Sequence, residues 1–375
     1  MTEHKLRITP TRMADGRELI YFDDSPKYVS GELEHVLDDP RDLPHTATNS
    51  EMRRDPLTGQ WVAFAAHRMN RTFMPPANEN PLAPSQEGQL PTEIPSPEYD
   101  VVVFENRFPS FSMHIDVPED FEKFADSGSQ HFVPRAPAKA RCEVVCFAPD
   151  PQSSFKDLPV SRIRTIIEAW THRTAALSAL EGIQQVFPFE NRGVEIGVTL
   201  QHPHGQIYSY PFLPPRTERI VEQLEERPTL FADVLAAEKE DGRRIVAETE
   251  HFTVFVPAAA KWPVEAMVLP NRQVADFTEL TDAEKAELAA LLKKLYTAVD
   301  EFFEGVERTP YIAAWNQAPV HHKQRDNYRM HLQLFSLMRS PNRMKFLAGS
   351  ESAMAVWIND TTPERIAETL RGAWK

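Results

Sequence analysis

The sequence predicts an α+β protein built of two repeated halves, in which mainly antiparallel sheets carry helices packed on them. Three observations carry this. The stretch "HFVPRAPAKARCEVVCFAPD" from His131 is echoed by "HFTVFVPAAAKWPVEAMVLPNR" from His251, with an HF start, a VP, a small-residue segment and an apolar strand closed by Pro149 or Pro270. Downstream of each copy, apolar residues recur at helical spacing: Ile163, Ile166, Ile167, Trp170 and Leu177 in one, Leu288, Leu291, Leu292 and Leu295 in the other. Each helix is followed by an apolar strand and then a histidine-bearing one, "QHPHGQIYSY" and "RMHLQLFSL".

Along the chain, "WVAFAA" reads as a strand that leads into Arg68 and Arg71 of "AAHRMNR". Seven prolines in the 23 residues from Pro75 to Pro97 demand a loop, since each removes a ladder donor and fixes φ. "RCEVVC" reads as a strand with Cys142 and Cys146 on one face, too far apart to bridge easily; they read as core thiols rather than a metal or redox pair. The first helix follows, and "ERIVEQLEERPTLFADVLAAEKE" is helical on both sides of Pro228 and links the halves. The second helix opens on Thr281 with Glu284 three residues on, a capping box. The offset between copies grows from 121 at Pro149 and Pro270 to 129 at His202 and His331, which implies insertions such as "NQAPVHHKQRDNY", carrying His321 and His322. The halves run 1–213 and 214–375, joined sheet to sheet or edge to edge.

At 375 residues and 41% hydrophobic content the chain can bury a large core. A net charge of −14 with no Lys/Arg run argues against nucleic acid, which needs a basic footprint. No stretch approaches the roughly 20 apolar residues of a membrane span, and the start lacks the apolar core of a secretory signal. The expectation is a cytoplasmic protein with no membrane partner.

"TLQHPHGQIYSYPFLP" carries the chemistry. In an extended strand His202, His204 and Gln206 alternate onto one face, about 6.5–7 Å apart, and share a site. Pro203 suggests a strand end or edge, and Gly205 leaves room for a ligand to approach. Such histidines can ligate a metal or sit satisfied in a core; the neighbouring glycine, glutamine and repeat context favour a third role. With Nδ1–H held by a backbone carbonyl, Nε2 of a neutral imidazole can attack phosphorus while a glutamine amide donates to the phosphoryl oxygen.

"HPHGQIYSYPFLP", "DPLTGQWVAFAAHRMNR", "FENRG" and "KFLAGSE" together resemble the galactose-1-phosphate uridylyltransferases of the histidine-triad superfamily, from about Asp55 to the C-terminus. The resemblance implies two histidine-triad-like halves and a ping-pong exchange of galactose metabolism in which UDP-glucose gives UMP to a histidine and galactose 1-phosphate then takes it. It makes His204 the uridylylated residue, Gln206 its phosphoryl contact and His202 its support. Arg68, Arg71 and Thr199 match phosphate-side residues, and Asn106 and Asn191 nucleotide-side asparagines. Lys345 and Glu351 match hexose-end residues that the family supplies partly from the second subunit of a homodimer.

No cofactor is implied, and the family's metal ligands are missing. Asn80, Ala83 and Pro151 stand at three positions of one metal site, with His202 as the fourth. Ile220, Asn316 and Gln333 stand at three of the other, where only His331 survives. The expectation is therefore no metal. An adenylyl-transferring phosphorylase of the same superfamily is the alternative function, and a sugar-nucleotide-binding scaffold without activity a third reading.

Overall fold

Runs that are apolar throughout, or on alternate residues, become strands, and the longer 3.6-period runs become helices. A computed structural model describes residues 4–45, 48–70, 75, 79–117 and 133–375. Its strands are β1 (Arg7–Arg12), β2 (Glu18–Asp23), β3 (Glu51–Arg54), β4 (Trp61–Phe64), β5 (Val101–Glu105), β6 (Arg135–Pro137), β7 (Cys142–Cys146), β8 (Gln185–Arg192) and β9 (His204–Tyr210) in the first half. In the second half come β10 (Ile245–Glu248), β11 (Phe252–Phe255), β12 (Val264–Pro270), β13 (Tyr311–Asn316) and β14 (His331–Ser336), then the short pair β15 (Met338–Ser340) and β16 (Arg343–Met344). The fold is α+β, and the described strands pair antiparallel in every ladder of the large sheet.

That sheet has 11 strands in the order β1-β2-β5-β7-β9-β8-β13-β14-β12-β11-β10. Read outward from the centre, β8-β9-β7-β5 mirrors β13-β14-β12-β11. The halves meet edge to edge, with β8 paired to β13 from Tyr311 opposite Arg192 to Ala314 opposite Phe189. Two features of the repeat differ from its sequence reading. The partner of β7 that corresponds to β11 is β5, whereas β6 joins β3 and β4 in a separate three-stranded sheet, so the HF likeness at His131 does not mark equivalent strands. His131 itself lies outside the described residues. The register also equates Gln206, flanked by Val144 and Phe189, with Gln333, flanked by Met267 and Ala314. His331 is thus the counterpart of His204, 127 residues on, and not of His202.

The two long helices, Val160–Ser178 and Asp282–Asp300, lie together on one face of the sheet. The residues whose spacing predicts them are the ones they bury: Ile163, Ile166, Ile167, Trp170 and Leu177 against Leu288, Leu291, Leu292 and Leu295. Each such side chain contributes about 1.5–3 kcal/mol by leaving water. Thr281 Oγ1 accepts from the Glu284 amide at 3.3 Å and Glu284 Oε2 accepts from the Thr281 amide at 2.7 Å, so the predicted capping box closes the second helix's start. Helices Pro215–Glu226 and Leu230–Asp241 flank Pro228. Among the described residues no helix is long and apolar enough to cross a membrane.

The cysteines are free and buried in β7, and burial pushes both thiols up, Cys142 to about 12. On the same strand Glu143 points the other way and receives Nε and Nη2 of Arg173 from the first long helix at 2.9 and 2.7 Å. The sheet thus has a helix-covered face and an opposite face bearing Cys142, Val144 and Cys146.

Candidate active site

The opposite face carries the site. β9 alternates His204, Gln206, Tyr208 and Tyr210, half-buried, with Gly205, Ile207 and Ser209, buried. Register places Val144 of β7 beside Gln206, and Phe104 of β5 beside Val144, so Gln206, Val144 and Phe104 form a row across three strands. This row floors a cleft of ≈ 160 Å³ that His204, Arg68, Asn106 and Thr199 also line. A second cleft of ≈ 300 Å³ lies on the other side of His204, bounded by Asn191, Arg192, Ser153, Ser154, Glu195 and Arg308. His204 and Leu200 belong to both.

The strand starts at His204, so His202 is not a strand residue as its spacing predicts. Pro203 marks a strand end in the middle of the sheet and not an edge. His202 is 3% exposed. Its Nδ1 accepts from Asn80 Nδ2 at 3.2 Å, while its Nε2–H lies 2.8 Å from the Ala148 carbonyl and 2.9 Å from the Tyr99 hydroxyl. Burial drives its pKa down to about 4, so it stays neutral. Its backbone carbonyl then accepts Nδ1–H of His204 at 2.7 Å. That bond selects the tautomer whose lone pair is on Nε2, which has no hydrogen bond among the described residues. Burial lowers the His204 pKa too, against the opposing effect of the carbonyl.

Gly205 does something other than open the approach to the ligand. It lies on the helix-covered face, where a Cβ would meet the Phe147 ring at 2.7 Å and the Phe189 carbonyl oxygen at 2.9 Å. The glycine lets β8 and Phe147 close behind the histidine.

Arg68 sits in the turn Ala66–Asn70 after β4. Its Nη1 donates to the Ser110 hydroxyl and reaches Tyr208 Oη at 3.4 Å, which ties the guanidinium to the strand of His204. Arg71 lies outside the described residues. Asn106 Oδ1 accepts from the Phe108 amide at 2.9 Å and fixes the turn that ends β5. Asn191 lines only the second cleft, so the two asparagines do not share a pocket. Lys345 and Glu351 line neither cleft. They pair with one another at 3.2 Å, and Lys345 also donates to the Ile358 carbonyl. Sequence reasoning missed Glu93, Arg107, Leu82 and Phe104 in the first cleft and Glu195 and Arg308 in the second. Only Phe104 had a signal, its alternation with Asn106 in "FEN".

Neither metal position offers a fitting donor set. At the first, both ring nitrogens of His202 are engaged, Asn80 contributes an amide donor, and Ala83 and Pro151 have no side-chain ligand atom. At the second, His331 Nδ1–H donates to the Arg329 carbonyl at 3.0 Å, Asn316 Nδ2 to the Ala314 carbonyl at 3.2 Å and Gln333 Nε2 to Glu265 Oε1 at 2.6 Å, while Ile220 is apolar. Zinc sites need three or four imidazole, thiolate or carboxylate ligands.

Comparison with known proteins gives consistent matches. Residues 41–214 match a family model for the N-terminal domain of galactose-1-phosphate uridyl transferase, and residues 219–374 match the one for its C-terminal domain. A galactose-1-phosphate uridylyltransferase from Streptomyces lividans is 41% identical over 98% of both chains. One from Thermotoga maritima is 34% identical over 86% of this chain and 98% of its own. A solved uridylyltransferase structure superposes with a TM-score of 0.74 at 29% identity, covering 86% of this chain and 98% of that one.

Proposed function

The chain belongs to the galactose-1-phosphate uridylyltransferase family, and from that premise we propose that UMP passes between UDP-glucose and galactose 1-phosphate by way of His204. In the first displacement Nε2 attacks the α-phosphorus of UDP-glucose, the bond from that phosphorus to the bridging oxygen breaks, and glucose 1-phosphate leaves with the electron pair. In the second, a phosphate oxygen of galactose 1-phosphate attacks the same phosphorus, the N–P bond breaks, and neutral imidazole returns as UDP-galactose forms. Each step is one in-line displacement.

The observation that carries this reading is the Nδ1–H of His204 on the His202 carbonyl, with Nε2 unengaged among the described residues where two clefts meet. As Nε2 bonds phosphorus the ring gains positive charge, which the carbonyl dipole stabilises. Gln206 donates to a phosphoryl oxygen, Thr199 and Arg68 bind the phosphates, and Asn106 stands at the nucleotide side. Arg71 is read as the second phosphate arginine. The apolar floor of Val144 and Phe104 suits a nucleoside, and the second cleft, with Asn191 and Arg308 along it, suits the departing or incoming hexose phosphate.

The test is to weigh the intact protein after incubation with UDP-glucose or ADP-glucose, in the presence of a chelator. One uridylyl group per chain is expected without added metal. Adenylyl labelling instead would hand the site to the phosphorylase alternative, and no labelling would refute the covalent route. A chelator that stopped labelling, with metal restoring it, would refute metal-free transfer.

We read the chain as two halves, 1–213 and 214–375, and the enzyme as a cytoplasmic homodimer. The free thiols support a reducing compartment. Lys345 and Glu351, absent from the clefts of their own chain, border an exposed apolar stretch of Phe346, Leu347, Met354, Val356 and Ile358, with Phe346 83% exposed. Such a stretch suits an interface that hands these residues to the neighbouring hexose site. Sedimentation at the dimer mass is the expected result; a fully active monomer would refute it.

A further inference from the structure

Residues 4–40 precede the stretch that matches the family model and line neither cleft, yet Arg17 among them holds a residue that lines the first. The β1–β2 hairpin extends the sheet beyond β5, and β2 begins beside Arg17, which is 2% exposed. Arg17 divides its guanidinium three ways: Nε to Asp15 at 2.7 Å, Nη1 to the Glu105 carbonyl at 2.8 Å, and Nη2 to Glu93 at 2.5 Å. Arg41, itself clamped by Asp39 at 2.8 and 2.7 Å, reaches the other oxygen of Glu93 at 3.1 Å. Arg107 stands 3.5 Å from that same oxygen. Glu93 and Arg107 both line the cleft.

A carboxylate presents about four acceptor positions, and the three guanidinium groups on Glu93 among the described residues leave one of them for a ligand in the cleft that it lines. An acceptor-only oxygen offers a phosphate no donor and can receive a hydroxyl. The floor supplies a length scale for the ligand. From Gln206 through Val144 to Phe104 is two interstrand steps, about 10 Å, the reach of a nucleotide from phosphorus to base. With the phosphoryl group at Gln206 and the base at Phe104, the sugar lies between them.

We propose that Glu93 determines specificity for the ribose of the transferred nucleotide by accepting its hydroxyls, and that Arg17 of the N-terminal segment and Arg41 just after it are its positioning residues. The proposal rests on the uridylyl reading of the cleft. The N-terminal segment is thereby part of the active site, because Arg17 couples the Glu93 carboxylate to the backbone that carries Asn106.

The experiment follows the first half-reaction, labelling of His204, with UDP-glucose and with its 2′-deoxy and 3′-deoxyuridine counterparts. The unmodified enzyme should use at least one deoxy substrate about 10- to 100-fold less well in kcat/KM, the scale of one charge-assisted hydrogen bond. Glu93→Gln should lower kcat/KM for UDP-glucose by a similar factor while changing the poor deoxy substrate little, so the preference collapses. Arg17→Met should act the same way, mainly through KM, and Arg17→Lys should recover part of the preference. Equal use of all three substrates by the unmodified enzyme overturns the proposal without any variant having to fold. A preference retained in Glu93→Gln, with all rates lowered together, overturns it as well. If no uridine nucleotide labels His204, the uridylyl reading itself falls, and the proposal with it.

Discussion

His204→Ala is expected to lower UMP exchange by about 10⁴- to 10⁶-fold and to abolish the covalent adduct, because a double displacement loses both steps with its nucleophile. The side chain is half-buried and its only hydrogen bond among the described residues is to a backbone carbonyl, so the fold should survive the change. Mass measurement of the incubated variant and its thermal midpoint check both halves of the statement. Peptide mapping of the parent enzyme should put UMP on residue 204. An adduct on His202 would refute the assignment, and the geometry says why it is not expected: both nitrogens of that ring are engaged beneath the surface.

The second large effect concerns acid. His202 and His331 are buried and held to about 4, mainly by loss of hydration. The unfolded chain protonates these groups near 6.5, and the folded chain does not until about 4. Between those values the unfolded state binds more protons, so stability falls as pH falls. Each histidine contributes at most about 1.4 kcal/mol per pH unit, about 3 kcal/mol across the window. Glu190 works in the opposite sense, since burial lifts its carboxyl to about 7 and the fold holds its proton longer. The clean measurement is therefore a difference. Denaturant unfolding of His331→Gln should lose about 2–3 kcal/mol less than the parent between pH 7 and pH 4. Parallel pH curves would refute it.

Much of this was legible in the chain. Helical spacing named the residues that the two long helices bury, because a helix packed on a sheet must show its apolar stripe in the sequence. Alternation put His204 and Gln206 on one face. What escaped has physical causes. His202 sits two residues before His204, and spacing alone does not tell a strand residue from one that turns inward just before the strand. Gly205 read as clearance for a ligand; only the packing of Phe147 and Phe189 shows that the clearance serves the opposite face. The repeat aligned at His131 and His251 by a shared dipeptide, whereas the equivalent strands β5 and β11 share only apolarity, a pattern many strands satisfy. Glu93 carries no signal of its own in the sequence, since its partners Arg17 and Arg41 are 76 and 52 residues away.

The seam between β8 and β13 bears on whether either half could be produced by itself. Each of these strands satisfies its outer amides and carbonyls with the other, and β8 also carries Asn191 and lies against the strand of His204. Cutting the chain between the halves would unpair residues 189–192 of β8 and 311–314 of β13, leaving an open edge that carries Phe189 on one fragment and Tyr311 and Ile312 on the other. Such an edge is a template for pairing with any other strand it meets. The fragments would be adhesive, and neither half is expected to stay in solution without the other.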